Sequence, residues 1–387
     1  HDVAENIIHL VLARLPDAPE GSRGVSLFLV PKFLVGPDGT LGARNAAHCI
    51  GLEEKVGIHA SPTCVMEYDG AVGYLIGEEN KGLACMFTMM NSARLNVGLE
   101  GVGVGEAAYQ AALAHARDRK QGRAEGVEGP APIVHHPDVR RTLVEMRARV
   151  MAARAICYAC GMAADLAEAA DDADSRQAAR LREDLLTPIA KAWSTDMGVD
   201  VASLGVQVHG GMGFMNETLA AQLYRDSRIA PIYEGTNGIQ AMDLVGRKLG
   251  RDEGAAMRAM IGEVRDTART ARNTNEADFV AMADRLDAAA DGLEAATGWM
   301  VETLASDRAR ALAGATPYLG LAGDTIGGRY LVDAALAARD EGGPIAVRMP
   351  HLARYFADTA LAAVPGKVAS VTEAGDRALA SADAVLA

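Results

Sequence analysis

The chain has 387 residues, enough for two or three domains, and is 49% hydrophobic but only 4% aromatic, with a formal net charge of −13. That balance points to helices packed through small residues and argues against a general nucleic-acid or membrane-surface binder, so an anionic ligand would need local arginines set in an acidic background. Five cysteines (Cys49, Cys64, Cys85, Cys157, Cys160) are an odd number in a large chain, which fits a reduced, cytoplasmic protein better than a disulfide scaffold.

The opening residues, His1 to Asn6, lack the charged start and apolar core of a signal peptide, and no apolar run reaches transmembrane length. There is no initiator Met, and a strand-like run follows at once from Ile7 to Ala13, so the chain is expected to begin inside a domain. Residues 1 to 84 read as β structure. Ile7 to Leu12, Val25 to Val30 before Pro31, and Cys64 to Tyr68 before Asp69-Gly70 are short apolar runs between Gly, Pro and Asp clusters. Gly77 to Gly82 is a polar break, after which the period changes. Leu83 to Lys120 reads as one long or two shorter helices, followed by a Gly/Pro-rich loop from Gln121 to Pro137. Val139, Leu143, Met146, Val150 and Ala153 recur at steps of three and four, which predicts a helix over 138–169 with Asp138 as N-cap. A further helix spans Gln177 to Leu204, disturbed at Pro188, and Ala241 to Leu249 completes one begun near Asn237. Residues 85–250 therefore predict a helical bundle. Beyond Asp252-Glu253-Gly254, residues 251–387 predict an appended helical domain, with Phe279, Met282, Leu286, Ala289 and Leu293 at helical spacing, likewise Leu352, Tyr355, Phe356 and Leu361, and a break at Gly342-Gly343-Pro344. The expected fold is mostly α with a partial β domain.

Four segments carry candidate chemistry. Glu234 stands between the apolar run ending Ile232-Tyr233 and the turn Gly235-Thr236-Asn237-Gly238. A carboxylate desolvated by Ile232 and Tyr233 has a raised pKa and greater basicity, and the adjacent glycine admits a ligand closely. Those are the needs of a base that removes a carbon-bound proton; the same spacing also describes a surface acid near a helix start with Thr236 as N-cap. Gln207-Val208-His209-Gly210-Gly211-Met212-Gly213 is a glycine-rich turn, either a close approach to a ligand or a helix C-cap. Arg117 to Arg123 is a basic cluster at a helix end, which complements the helix dipole or grips a pyrophosphate. Met89 to Leu95, with Asn91 and Arg94, is a helix face open to solvent or to a ligand. Gly98, Gly101, Gly103 and Gly105 suggest a dinucleotide fingerprint, but they lack the preceding strand and are better explained by close helix packing. Cys157 and Cys160 stand alone in mid-helix, without a second pair, and read as buried small residues; His135-His136 reads as a solvated turn, so no metal site is expected.

Arg225-Asp226, then Ile232-Tyr233-Glu234-Gly235-Thr236 and Ile239-Gln240, resembles the catalytic segment of the acyl-CoA dehydrogenases, and the three other segments match in the right order over residues 1–250. The extra C-terminal region is similar to that of the long dehydrogenases, a group that includes enzymes for 3-methylmercaptopropionyl-CoA. The resemblance implies that an N-terminal helical domain and the first half of the β domain would precede this point. It implies that Glu234 abstracts the α-proton of an acyl-CoA thioester opposite a bound FAD, while the Glu234 backbone N–H and a flavin ribityl hydroxyl stabilise the thioester oxygen. Arg119 and Gln121 take the flavin diphosphate. Gln207, Gly210 and Gly211 meet the adenosine of a neighbouring subunit's FAD, and Thr236 and Asn237 contact FAD from the catalytic turn, with Gly238 where relatives often carry Gln. Arg94 reaches toward the pantetheine or phosphate portion of CoA, Asn91 stands where many relatives have Asp, and Tyr233 and Gly235 join them as substrate-binding residues. The implied partners are an acyl-CoA, an electron-transfer flavoprotein and further copies of the chain, as a dimer or tetramer. An oxygen-using acyl-CoA oxidase and a non-catalytic, alkylation-response relative are the alternatives; the net acidity and the presence of Glu234 speak against the second.

Overall fold

The computed structural model describes residues 4–387, so the first three residues of the expected opening segment lie outside the described residues. The chain divides into two compact units, one ending at Ala93 and the other running from Arg94 to Ala387.

The first unit is antiparallel β structure. Strand β1 (Ile8–Arg14) pairs with β2 (Val25–Pro31) along its whole length, Ile8 opposite Pro31 and Arg14 opposite Val25. Two hairpins follow, β3 (Phe33–Val35) with β4 (Leu41–Arg44) and β5 (Ala47–Leu52) with β6 (Cys64–Tyr68), and β7 (Tyr74–Ile76) returns to the free edge of β2. β2 is the most buried strand, with Leu27 and Val30 buried on its two opposite faces. The sequence expectation covers β1, β2 and β6. It omits β3, β4 and β7, which have three or four residues each, and β5, whose apolar run is interrupted by His48 and Gly51.

The unit boundary falls inside α1 (Gly82–Asp118), a single helix. Next come α2 (Pro137–Ala169) and α3 (Ala173–His209), then the short α4 (Leu219–Ser227) and α5 (Asn237–Asp243), the latter continued by a π-turn over Leu244–Leu249. The expected disturbance at Pro188 does not break α3, because Leu185, Leu186 and Ile189 on either side are 3% exposed or less and packing outweighs the roughly 3 kcal/mol that a mid-helix proline costs. The expected Asp138 N-cap is also corrected. Pro137, with its fixed φ, takes the first helical position, so α2 starts earlier and Asp138 lies in the first turn, bonded at 2.9 Å to Arg141 Nε. Among the described residues α2 is the one helix long and apolar enough to cross a membrane by length and composition, contrary to expectation. Its buried Met146, Val150 and Ile156 belong to the protein core, and it carries Arg140, Arg141, Arg147, Arg149 and Arg154.

The remaining helices are α6 (Gly250–Asp252), α7 (Ala255–Asn273), α8 (Ala277–Ser306), α9 (Arg308–Ala313), α10 (Ala315–Ala338), α11 (Pro344–Phe356), α12 (Ala362–Thr372) and α13 (Ala374–Leu386). The predicted bundle and the predicted appended region share a continuous core. Gly323 on α10 lies so close to Trp193 on α3 that an added Cβ would stand 2.2 Å from the indole, and Trp193 Nε1 donates to Asp324 at 3.1 Å.

Candidate active site

The loop between α4 and α5 is where sequence reasoning concentrates, and its backbone is unusual. Glu234 has φ 55° and Gly235 has φ 85°, two left-handed residues in succession. For a residue with a Cβ that conformation costs roughly 1–2 kcal/mol, so neighbouring bonds must hold it. The Asn237 N–H closes the loop on Pro231 O at 2.9 Å. The Gln240 amide, fully buried, donates to the carbonyls of Glu234 (3.2 Å) and Gly235 (3.3 Å). A Cβ on Gly235 would meet Gln240 Nε2 at 2.9 Å, so glycine is required there for space as well as for φ. Thr236 caps α5, its Oγ1 accepting from the Ile239 N–H at 3.3 Å. Among the described residues the Glu234 N–H has no acceptor.

Asn237 pins this loop to α3. Its Nδ2 shares its two N–H groups among Asp196 Oδ1 (2.7 Å), Thr195 Oγ1 (3.0 Å) and Ala192 O (3.1 Å), while its Oδ1 accepts from Lys191 Nζ at 2.8 Å. The amide is thus saturated by the protein, and the FAD contact implied for Asn237 has no group left on that side chain. Lys191 is 0% exposed. Burial, with some help from Arg94, lowers its pKa to about 8, against the opposing pull of Asp196, Glu234 and Glu100.

The apolar shielding expected around Glu234 differs in the structure. Ile232 is 47% exposed, and Glu234 is half-buried. Tyr233 directs its hydroxyl at Glu100 on α1 and donates to that carboxylate; burial first, then the Glu100 bond, pushes its pKa up. Arg94, implied to reach toward CoA, is 5% exposed and pairs with Asp243 Oδ2 on α5 at 3.1 Å. Asn91 is exposed on the part of α1 that belongs to the first unit.

Glu100, Lys191 and Asp243 complete a charged layer that the sequence reading does not single out. Each is a lone charged residue inside an apolar helical stretch (Leu99-Glu100-Gly101-Val102, Ile189-Ala190-Lys191-Ala192, Met242-Asp243-Leu244-Val245), and that pattern is the signal that could have found them.

The other predicted ligand residues gather where α1 and α3 end. His115 and His209 stack there with ring centroids 4.4 Å apart, and His209 Nδ1 lies 2.7 Å from Gly205 O. Gly210 takes φ 61° and ψ −140°, and neither Gly210 nor Gly211 has an atom within 4 Å of where a Cβ would stand. Gln207 is exposed beside them. Arg119 and Gln121 are exposed just past α1 and joined by a 3.3 Å bond. Between Glu100 and Arg119 the helix rises about 28 Å, so these residues form a second cluster, well away from Glu234.

The glycines of α1 serve packing. A Cβ on Gly98 would stand 2.6 Å from Ala190 O, and one on Gly101 would stand 2.5 Å from Ser194 O. Cys157 and Cys160 are buried, which pushes their thiols up to about 12 and about 11. His136 Nε2 lies 2.7 Å from Gln121 O, within its own loop.

Residues 80–249 match the model for the C-terminal domain of acyl-CoA dehydrogenases, and residues 260–382 match that for the acetyl-CoA dehydrogenase C-terminal-like domain. The chain is 47% identical over 390 aligned positions to the 3-methylmercaptopropionyl-CoA dehydrogenase of Ruegeria pomeroyi, covering 98% of this chain and 65% of that protein. In fold it is similar to Caenorhabditis elegans ACDH-11, solved with C11-CoA (TM-score 0.76, 22% identity, 92% of this chain and 57% of that one). It is also similar to an acyl-CoA dehydrogenase from Bacillus anthracis solved with FAD (TM-score 0.72, 20% identity, 97% and 63%). The chain spans less than two thirds of the length of each of these relatives. With two family domains matched in sequence order and close identity along nearly its whole length, the chain belongs to the acyl-CoA dehydrogenase family.

Proposed function

We propose that this chain supplies the base and part of the cofactor cradle for FAD-dependent α,β-dehydrogenation of an acyl-CoA thioester. The observation that carries the reading is the Glu234 turn: a carboxylate on a left-handed backbone, tied down by Gln240 and Asn237, whose own N–H has no acceptor among the described residues. In this reading the Glu234 carboxylate takes the α-proton, and the Glu234 N–H donates to the thioester oxygen as negative charge develops there. One rigid turn then holds both groups in register, which is the positional contribution a protein makes to such a reaction.

FAD, when bound, supplies the acceptor for the β-hydride. The residues available to hold it suit the group: the exposed Arg119 and Gln121 for the diphosphate, and the open backbone of Gly210 and Gly211 beside Gln207 for close approach. The separation of about 28 Å along α1 supports a site shared between copies of the chain, where the glycine turn of one copy serves a cofactor held by another. The relative's name suggests 3-methylmercaptopropionyl-CoA as a first substrate to assay, and an electron-transfer flavoprotein is the proposed electron acceptor. Glu234→Gln in the full-length, flavin-loaded enzyme is expected to abolish turnover of acyl-CoA with an artificial acceptor while FAD content stays unchanged. Retained turnover in that variant would remove Glu234 from its role.

A further inference from the structure

We propose that Lys191 is a positioning residue for proton abstraction: together with Asn237 it clamps the Glu234 turn from beneath and fixes where the base stands. The inference rests on the reading of Glu234 as base.

The mechanical argument starts from the loop. Its two ends meet at Asn237, whose N–H reaches back to Pro231 O at 2.9 Å. Gln240 holds the Glu234 and Gly235 carbonyls from within the segment, and the Asn237 side-chain amide anchors the closed loop to α3. The two N–H groups of Nδ2, shared among Asp196 Oδ1, Thr195 Oγ1 and Ala192 O, and the Lys191 bond to Oδ1 at 2.8 Å fix that amide on α3. Lys191 and Asp196 are the charged members of the set, one on each end of the amide, and a charge-assisted bond is about twice as strong as a neutral one.

For stability alone, Lys191 is a poor choice. Its side chain is 0% exposed on a helix whose neighbours Leu186, Ile189 and Ala192 are 1% exposed or less. A methionine there would avoid the cost of burying an ammonium group. The carboxylates that offset that cost lie around it: Glu100 on α1, Asp196 on α3 and Glu234 in the turn itself, while Arg94 on α1 opposes them and is in turn neutralised by Asp243 on α5. A buried cation set among these acids, and bonded to the residue that closes the catalytic turn, has a positional use that an apolar residue could not serve.

The test uses the full-length, flavin-loaded enzyme. In Lys191→Met, kcat is expected to fall about tenfold or more, in line with the sensitivity of such chemistry to small misplacements. KM for the acyl-CoA should stay within about twofold, because the clamp acts on the turn that carries the base. Flavin content should be unchanged, and Tm unchanged or higher. Asn237→Ala should reproduce the kcat loss, and the double variant should be no slower than the worse single one, since both act through one clamp. The wild-type kcat should decline on the alkaline side with a midpoint near the Lys191 value of about 8, and this limb should vanish in Lys191→Met.

A Lys191→Met enzyme with wild-type kcat overturns the proposal. So does a parallel fall in kcat and Tm, which marks a merely structural lysine, and so do additive losses in the double variant. Glu234→Gln, run alongside, separates the two readings. If it stays active, the base assignment falls and the clamp with it; if it is inactive while Lys191→Met is unaffected, only the clamp falls.

Discussion

Glu234, a β-carbon residue in a left-handed conformation, and Lys191, a cation cut off from solvent, both raise the energy of the native state; Glu234 is held within its own turn by Gln240, and Lys191 by Asn237, distant in sequence. The buried pair of Arg94 and Asp243 belongs to the same layer. Removing one partner of a buried ion pair costs about 3–5 kcal/mol. Asp243→Ala should therefore lower unfolding stability by about 3 kcal/mol in urea titration, whereas Arg94→Met should cost less, because Asp243 keeps Arg247 at 2.5 Å. Lys191 also predicts a pH dependence of stability. Its pKa is lowered from 10.5 to about 8, so between those values the unfolded chain binds a proton that the folded chain has released. Stability contributed by this group thus rises as pH increases through that window and is lost as pH falls through about 8. The Tm of wild type relative to Lys191→Met should increase between pH 8 and 10, followed by thermal melting in matched buffers. Glu234 was legible in the sequence because its glycine, threonine and apolar neighbours are contiguous with it. Lys191 and Asp243 were not, because the groups that give them meaning stand 46 and 149 positions away.

At the scale of elements, the long helices were read well because their signal is a period repeated over many turns, and α2 differs from its expected span only at the proline that starts it. The glycines of α1 show where pattern and packing part company. Gly98 and Gly101 face the backbone of α3, while Gly103 has nothing within 4 Å of its missing Cβ. Gly98→Ala and Gly101→Ala should each destabilise by about 1–3 kcal/mol through overpacking. Gly103→Ala should instead be neutral or stabilise by up to about 1 kcal/mol through helix propensity. Chemical denaturation of the three variants checks this; equal effects would show that α1 does not approach α3 as closely as described. The same glycines could be taken from sequence for a phosphate loop, because sequence carries their spacing but not the helix opposite. The strands β3, β4 and β7, of three or four residues, are too brief for alternation to rise above turn composition, while β5 has its apolar run interrupted by His48 and Gly51; pairing with a neighbour defines each.

At the scale of the whole molecule, the bundle and the C-terminal helices were read as separate regions, and the structure joins them in one core that includes Met146, Ile189 and Leu244 together with Leu286, Tyr318 and Phe356. They are expected to melt together. The two tryptophans sit on either side of that junction, Trp193 on α3 and Trp299 on α8. In the single-tryptophan variants Trp193→Phe and Trp299→Phe, the remaining fluorophore should report the same midpoint as the far-UV circular dichroism of that variant. Two separated midpoints would make the C-terminal helices an independent domain.

The sequence by itself determined the family, the order and length of the main helices and the position of the candidate base, because periodicity, turn chemistry and contiguous motifs are properties of neighbouring residues. Only the tertiary structure decided that Asn237 is committed to α3, that Arg94 lies in a buried ion pair, that Ile232 leaves Glu234 half-open, and that a buried lysine is bonded to the residue that closes the Glu234 turn. Each of those facts depends on which atoms of distant segments come within a few ångströms, and in this chain that is set by how closely α1, α3 and α5 pack.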